Sequence, residues 1–235
     1  VPGVEELEDR IAELEGDVAE LNTTVESLTP ILVAEAQFLA DTLNVTFPLT
    51  LTGEISLGGI LSLSGDLKTF GENEQVAALF AIEQINVLIK ALGGNWTLKL
   101  VSEDTKTDPA TCLQKVESLH SRGIKLLVGP LSSGEVRQIK SYCDSNKILA
   151  ISQSSTAPDL AVAGDYIFRF CPTDKAGQGP ACGRIMYDDG KRYVIPVTRN
   201  DAWGVGLEDA VKLKFEGLGG TFLPGIRYAP EAVSY

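Results

Sequence analysis

Residues 128–139 read "VGPLSSGEVRQI", and the fold turns on how this stretch is understood. An apolar run ends at Pro130, two serines follow, and a helical pattern begins. The first amides of a helix have no intrahelical partner, so a strand handing over to a helix here offers an anion-binding point. A serine at this place also serves as an ordinary helix cap. The rest of the chain decides between a cap alone and a cap that faces a ligand.

From Glu54 onward, strand and helix patterns alternate. Strands are expected at 54–63, 97–103, 124–129, 148–152, 166–170, 192–198 and 221–228, with helices at 72–92, 109–122, 134–146, 176–188 and 204–217. Val76, Leu79, Phe80, Ile82, Ile85, Ile89 and Leu92 recur at helical spacing, and Pro109 after Asp108 suits a first turn. Such alternation predicts an α/β fold, a parallel sheet with helices on both faces. Ligands sit at the carboxyl ends of strands in these sheets. Four such ends are rich in hydroxyls, glycine or an aromatic: 62–73 "SLSGDLKTFGEN", 130–134 "PLSSG", 152–160 "SQSSTAPDL" and 198–207 "TRNDAWGVGL". Ser132, Ser133, Ser154, Ser155 and Thr156 are expected to converge on one anion-sized space, with Phe70 and Trp203 as apolar walls.

The amino-terminal segment is of another kind. With Val4 at heptad position a, the a positions are Val4, Ile11, Val18 and Val25, and the d positions are Leu7, Leu14, Leu21 and Leu28. This repeat predicts a left-handed parallel coiled coil, with self-association through residues 4–28. Fully helical, it spans about 40 Å. Thr29–Pro30 ends or kinks the helix, a second helical run follows at 31–43, and 44–53 reads as an extended linker. The expected organisation is a coiled-coil stalk at 1–29, a short helix and linker at 30–53, and α/β material beyond.

Charge and composition narrow the function. The 235 residues carry a net charge of −12, which argues against a nucleic-acid partner. Residues 1–28 hold nine acids against Arg10 alone, so the α/β part is only mildly acidic. No apolar run is long enough to cross a membrane, and any anchor is expected outside this sequence. The start at "VPGVEELEDR" reads as processed or trimmed. Three acceptor triplets, at Asn22, Asn44 and Asn95, favour an exported glycoprotein. Four cysteines without metal spacing fit disulfides outside the cell or buried free thiols. Two pairings, Cys171 with Cys182 and Cys112 with Cys143, are the expected ones if bridges form.

Nothing assembles a catalytic set. The single histidine, His120, lies within an amphipathic helix as a surface or packed residue, and no metal cluster, nucleophile elbow or phosphate loop is present. No cofactor is expected, and the chain reads as a non-enzyme.

The segments "GILSLSGDLKTFGE", "EDTKTDPATCLQKVESLHSRGIKLLVGPLSSGEVRQI", "ILAISQSSTAPDLA", "YIFRFCPTDKAGQGPA" and "RNDAWGVGL" resemble extracellular solute-binding proteins of the branched-chain amino acid (Leu/Ile/Val) ABC transporter family. The resemblance covers about residues 54–235. It implies a periplasmic-binding fold of type I: a first Rossmann-like lobe at 54–172 and a partial second lobe at 173–235. It implies capture of an amino acid or similar small carboxylate between the lobes, delivery to an ABC permease, and an extracellular, cell-surface or periplasmic place. The ligand carboxylate would meet Ser133 and the Ser155–Thr156 loop, between Phe70 and Trp203, with Asp174 in the crossover. The family's second-lobe carboxylate for the ligand ammonium would fall beyond Tyr235. The other readings are an extracellular assembly subunit (surface layer or filament) and a receptor or sensor ectodomain on the same fold.

Overall fold

The expected alternation of strands and helices is realised from Thr52 onward. The computed structural model describes residues 50–230, together with Gly16, Ala19, Thr23, Ser27, Pro30, Val33 and Ala34, which are helical. Pro30 lies at the predicted break, and Val33 and Ala34 fall within the second helical run expected at 31–43. The a and d positions of the heptad seam, Asn22 and Asn44 lie outside the described residues.

The elements in order are β1 (Thr52–Leu61), α1 (Lys68–Ala91), β2 (Asn95–Asp104), α2 (Pro109–Ser121), β3 (Leu126–Val128), α3 (Ser133–Asn146) and β4 (Leu149–Ser152). After a single 3₁₀ turn at Pro158–Leu160 come β5 (Ile167–Arg169), α4 (Gln178–Asp188), β6 (Tyr193–Val194), β7 (Val197–Arg199), α5 (Ala202–Gly217), β8 (Thr221–Phe222) and β9 (Ile226–Tyr228). Five strands form one sheet in the order β2-β1-β3-β4-β5. The pairs β1–β3, β3–β4 and β4–β5 are parallel, with Gly58 beside Leu127 and Ala150 beside Ile167. Two further parallel pairs, β6–β8 and β7–β9, stand apart from it.

Two of the predicted strands are broken. The 192–198 run divides into β6 and β7, and the 221–228 run into β8 and β9. Pro196 has no amide to donate to a ladder, so the strand stops there. Its carbonyl instead accepts from Ile226 N at 2.9 Å. Gly225 fits this contact because a Cβ there would lie 2.1 Å from Pro196 O. A further difference is the start of α1 at Lys68, which moves Phe70 from the predicted loop into a helix's first turn.

Two compact units are distinguished, Val1–Ile55 with Leu79–Lys99 and Ser56–Ala78 with Leu100–Tyr235. In the first, Ile82, Ile89 and Trp96 are buried. The Asn86 amide there mimics a neighbouring strand, accepting from Leu98 N at 2.7 Å and donating to Leu98 O at 2.9 Å. Asn95 is exposed at the head of β2.

The second unit holds the main core. Ile60 from β1, Val116 and Leu119 from α2, Leu127 from β3, Val136 and Ile139 from α3, Ile148, Ala150 and Ile167 form one buried cluster. Cys112 and Cys143 belong to it as free thiols. Burial pushes the Cys143 thiol up to about 12 and that of Cys112 well above the usual range. Cys171 and Cys182 are also free, which corrects the expected bridges, and the Cys171 thiol donates to Ser155 O at 3.2 Å. His120 is a packed residue, with Nδ1 2.9 Å from Tyr142 Oη.

Asp108 is the N-cap of α2, accepting from Thr111 N at 2.7 Å and Thr111 Oγ1 at 2.6 Å. These bonds hold its carboxyl below the usual range. Asp108→Ala is expected to cost about 1 kcal/mol in urea unfolding at neutral pH. A folded-state value below the unfolded one stabilises at higher pH, so this contribution fades as pH falls through the folded value. The gap between wild type and variant should therefore narrow in acid.

Candidate functional site

The carboxyl ends of β1, β3 and β4 are built to present particular groups. After β1, Gly65 turns the chain with φ +81°, where a Cβ would sit 2.1 Å from Lys106 O. Ser64 donates to Asp104 through its amide (3.0 Å) and hydroxyl (2.6 Å), and Leu67 N donates to Thr107 Oγ1 at 3.1 Å. This clamp fixes the segment that carries Leu67 and Phe70.

After β3, Ser132 is the N-cap of α3 in a capping box. Its hydroxyl accepts from Glu135 N at 3.2 Å and donates to Glu135 Oε2 at 2.7 Å, while Ser132 N donates to the same oxygen at 3.1 Å. Ser133, the first helical residue, is buried. Its Oγ accepts from Ser155 Oγ at 3.1 Å and from Ala157 N at 3.3 Å. Both bonds use the oxygen's lone pairs, so the Ser133 hydrogen is left to donate elsewhere. A hydroxyl donor beside the open amides of a helix start is suited to a carboxylate.

The loop after β4 is clamped from several sides. Ser152 Oγ donates to Pro130 O at 2.6 Å, and Arg169 donates to Ser155 O and Ala157 O at 3.0 and 2.8 Å. The Thr156 hydroxyl donates to the buried Asp174 at 3.0 Å, and Asp174 N donates to Thr156 O at 2.9 Å. Burial pushes the Asp174 carboxyl above its usual range. Ser154 Oγ lies 3.5 Å from Glu74 Oε1 of α1.

A cavity of about 340 Å³ opens here, lined by Leu67, Phe70, Leu131, Ser132, Ser133, Ser154, Arg199, Asp201 and Trp203. Of the expected residues, Phe70, Ser132, Ser133, Ser154 and Trp203 are thus brought together, with both aromatics substantially exposed. Ser155 and Thr156 stand behind, supporting Ser133 and Asp174 rather than lining the space. Sequence reading missed Arg199, Asp201 and Glu74. Asp201 caps α5 through Gly204 N at 2.8 Å and pairs with Arg199 Nε at 2.6 Å. Arg199 also faces Asp66 at 4.0 Å. An Asp ahead of a helical run is the signal that would have found Asp201. No local pattern marks Arg199.

Residues 54–235 match the family described as periplasmic binding protein. The chain belongs to that family. Among its relatives, an uncharacterised protein of Methanocaldococcus jannaschii is 43% identical over 170 residues, 70% of this chain and 40% of that one. The leucine-, isoleucine-, valine-, threonine- and alanine-binding protein of Pseudomonas aeruginosa is 30% identical over 189 residues, 79% of this chain and 46% of that one. The crystal structure of a leucine-binding protein from Thermotoga maritima superposes with a TM-score of 0.69 at 22% identity, covering 77% of this chain and 50% of the other. The chain therefore spans half or less of the length of these proteins. The fold is the type I periplasmic-binding fold, with its parallel five-stranded sheet flanked by helices. The family consists of substrate-binding proteins. Among the described residues, no helix is long and apolar enough to cross a membrane, and no cluster of His, Cys, Asp and Glu is suited to a metal.

Proposed function

We propose that this periplasmic binding protein captures an amino acid or similar small carboxylate outside the cytoplasm and delivers it to an ABC permease. The observation that carries the reading is the Ser133 hydroxyl. Its lone pairs are occupied by Ser155 and Ala157, and its hydrogen is available at a cavity walled by Phe70 and Trp203. That arrangement suits a carboxylate with a small apolar body. The relatives' names agree with it, since one binds leucine, isoleucine, valine, threonine and alanine. In this reading, residues 54–172 form the first ligand-binding lobe and 173–235 part of the second, with Ser155 and Thr156 stiffening the carboxylate subsite. The heptad segment is a stalk through which chains associate.

Calorimetric titration of the full-length protein with those five amino acids and with small carboxylates tests the proposal. Saturable binding of at least one is expected. A folded protein that binds none of them would overturn it.

A further inference from the structure

The ligand site leaves an apolar groove on α1 without a role. This open groove, of about 780 Å³, runs along α1 beside β2 and is lined by Leu79, Ile82, Val87 and Trp96. Ile82 and Trp96 are buried, whereas Leu79 is 50% exposed and its neighbour Phe80 58% exposed. Leu79, Phe80 and Val87 fall on one side of the helix, apart from the side that Ile82 and Ile89 bury. A surface helix needs one apolar stripe to hold it to its sheet, so a second stripe marks a second partner.

The chain itself leads to this groove. Gly53, at the start of β1, also lines it, so the segment ahead of β1 arrives at the groove's edge. That segment belongs to the same compact unit as Leu79–Lys99. Residues 31–43, "ILVAEAQFLADTL", carry the complementary pattern; apart from Val33 and Ala34 they lie outside the described residues. At helical spacing Ile31, Leu32, Phe38, Leu39 and Leu43 share one side, and Ala34, Gln37 and Asp41 share the other. Ala34 is exposed, as that polar side requires. Glu35 falls within the apolar side, where a buried acid needs a cation opposite it. Lys90 supplies one in the groove. The lengths agree as well. A helix over 31–43 spans about 20 Å, and Leu79–Lys90 spans about 18 Å. Residues 44–51 reach about 26 Å when extended, enough to lay that helix along α1.

We propose that residues 31–43 dock in the α1 groove as an amphipathic helix. The side that carries Leu32 and Leu39 covers Leu79 and Val87, and Glu35 faces Lys90. The heptad segment is then joined to α1 and β2 through a packed joint instead of a loose tether. A stalk built this way fixes the direction of what it carries. The inference is independent of which ligand is captured.

Hydrogen exchange read by mass spectrometry on the full-length protein tests the docking. Peptides within 31–43 are expected to exchange slowly in the wild type. Leu79→Asp should speed their exchange at least about tenfold, the loss of one buried leucine contact. Leu39→Asp should do the same, and because it leaves α1 unaltered it keeps the test independent of how well the first variant folds. Hydroxyl-radical labelling of Leu79 and Phe80 should rise in Leu39→Asp. Peptides of α2 and α3 should exchange as in the wild type in both variants. Fast exchange of 31–43 in the wild type, or slow exchange that both variants leave intact, overturns the proposal. Slow exchange that is lost on dilution, together with a fall in sedimenting mass, assigns the groove to a second copy and overturns it too.

Discussion

Ser133→Ala is expected to weaken binding of L-leucine, or of whichever panel member binds, by about ten- to a hundredfold. A hydrogen bond to a charged group contributes about 1.5–3 kcal/mol, and that range converts to this loss. The substitution removes the one cavity hydroxyl whose hydrogen is free. It also removes an acceptor for Ser155 Oγ and Ala157 N, so a fall in stability of about 1 kcal/mol should accompany it. Titration calorimetry reads the first effect and a urea melt the second. Unchanged affinity in a folded variant would move the carboxylate away from the start of α3. Ser132→Ala should behave differently. Its hydrogen is tied to Glu135, so the cost of about 1 kcal/mol falls on the helix cap and little on the ligand.

The difference between those two neighbours shows where sequence reading succeeds and where it stops. That a helix starts at this serine pair follows from a Ser followed by Glu three residues on. The direction of each hydroxyl's hydrogen does not follow, because it depends on Ser155 and Ala157, more than twenty residues away. The same limit governs the larger pattern. The alternation from Glu54 and the Asp108–Pro109 helix start were legible because period and cap are local signals. Phe70 was placed in a loop because α1 begins at Lys68 without an acidic first turn to mark it. Pro196 was read through as strand because the flanking apolar residues fit the period, although it lacks the donor that a ladder needs. Arg199 and Glu74 carry no motif, and only the fold brings them beside Ser133 and Ser154. The cysteines offered an even count, which fits bridges and buried thiols alike, and in the structure all four are free, with Cys112 and Cys143 buried.

The largest stability effect is expected at Ile139. It is fully buried on α3, between Val136 and Cys143 of the same core cluster. Ile139→Ala should cost about 2–5 kcal/mol, transfer and cavity terms together, against about 0.5–1.5 kcal/mol for Ile139→Val. The spread reflects how far the neighbours can collapse. Here the core cluster around it holds residues that are themselves fully buried, such as Val116 and Leu119 of α2 and Ile148 just ahead of β4, so the upper half of the range is expected. Urea unfolding should show an earlier midpoint with an unchanged slope. The consequence for binding is more selective. Ser133 is held by Ser155 and Ala157, and the cap by Ser132 and Glu135, all at the start of the helix. Ile139 lies nearly two turns further on. In the fraction that remains folded, ligand affinity should therefore match wild type. A variant that unfolds early yet binds normally would separate the fold's anchorage, in the middle of α3, from the ligand's recognition at its start. Lost affinity in the folded fraction would instead mean that the core seam of α3 sets the angle at which Ser133 meets the cavity.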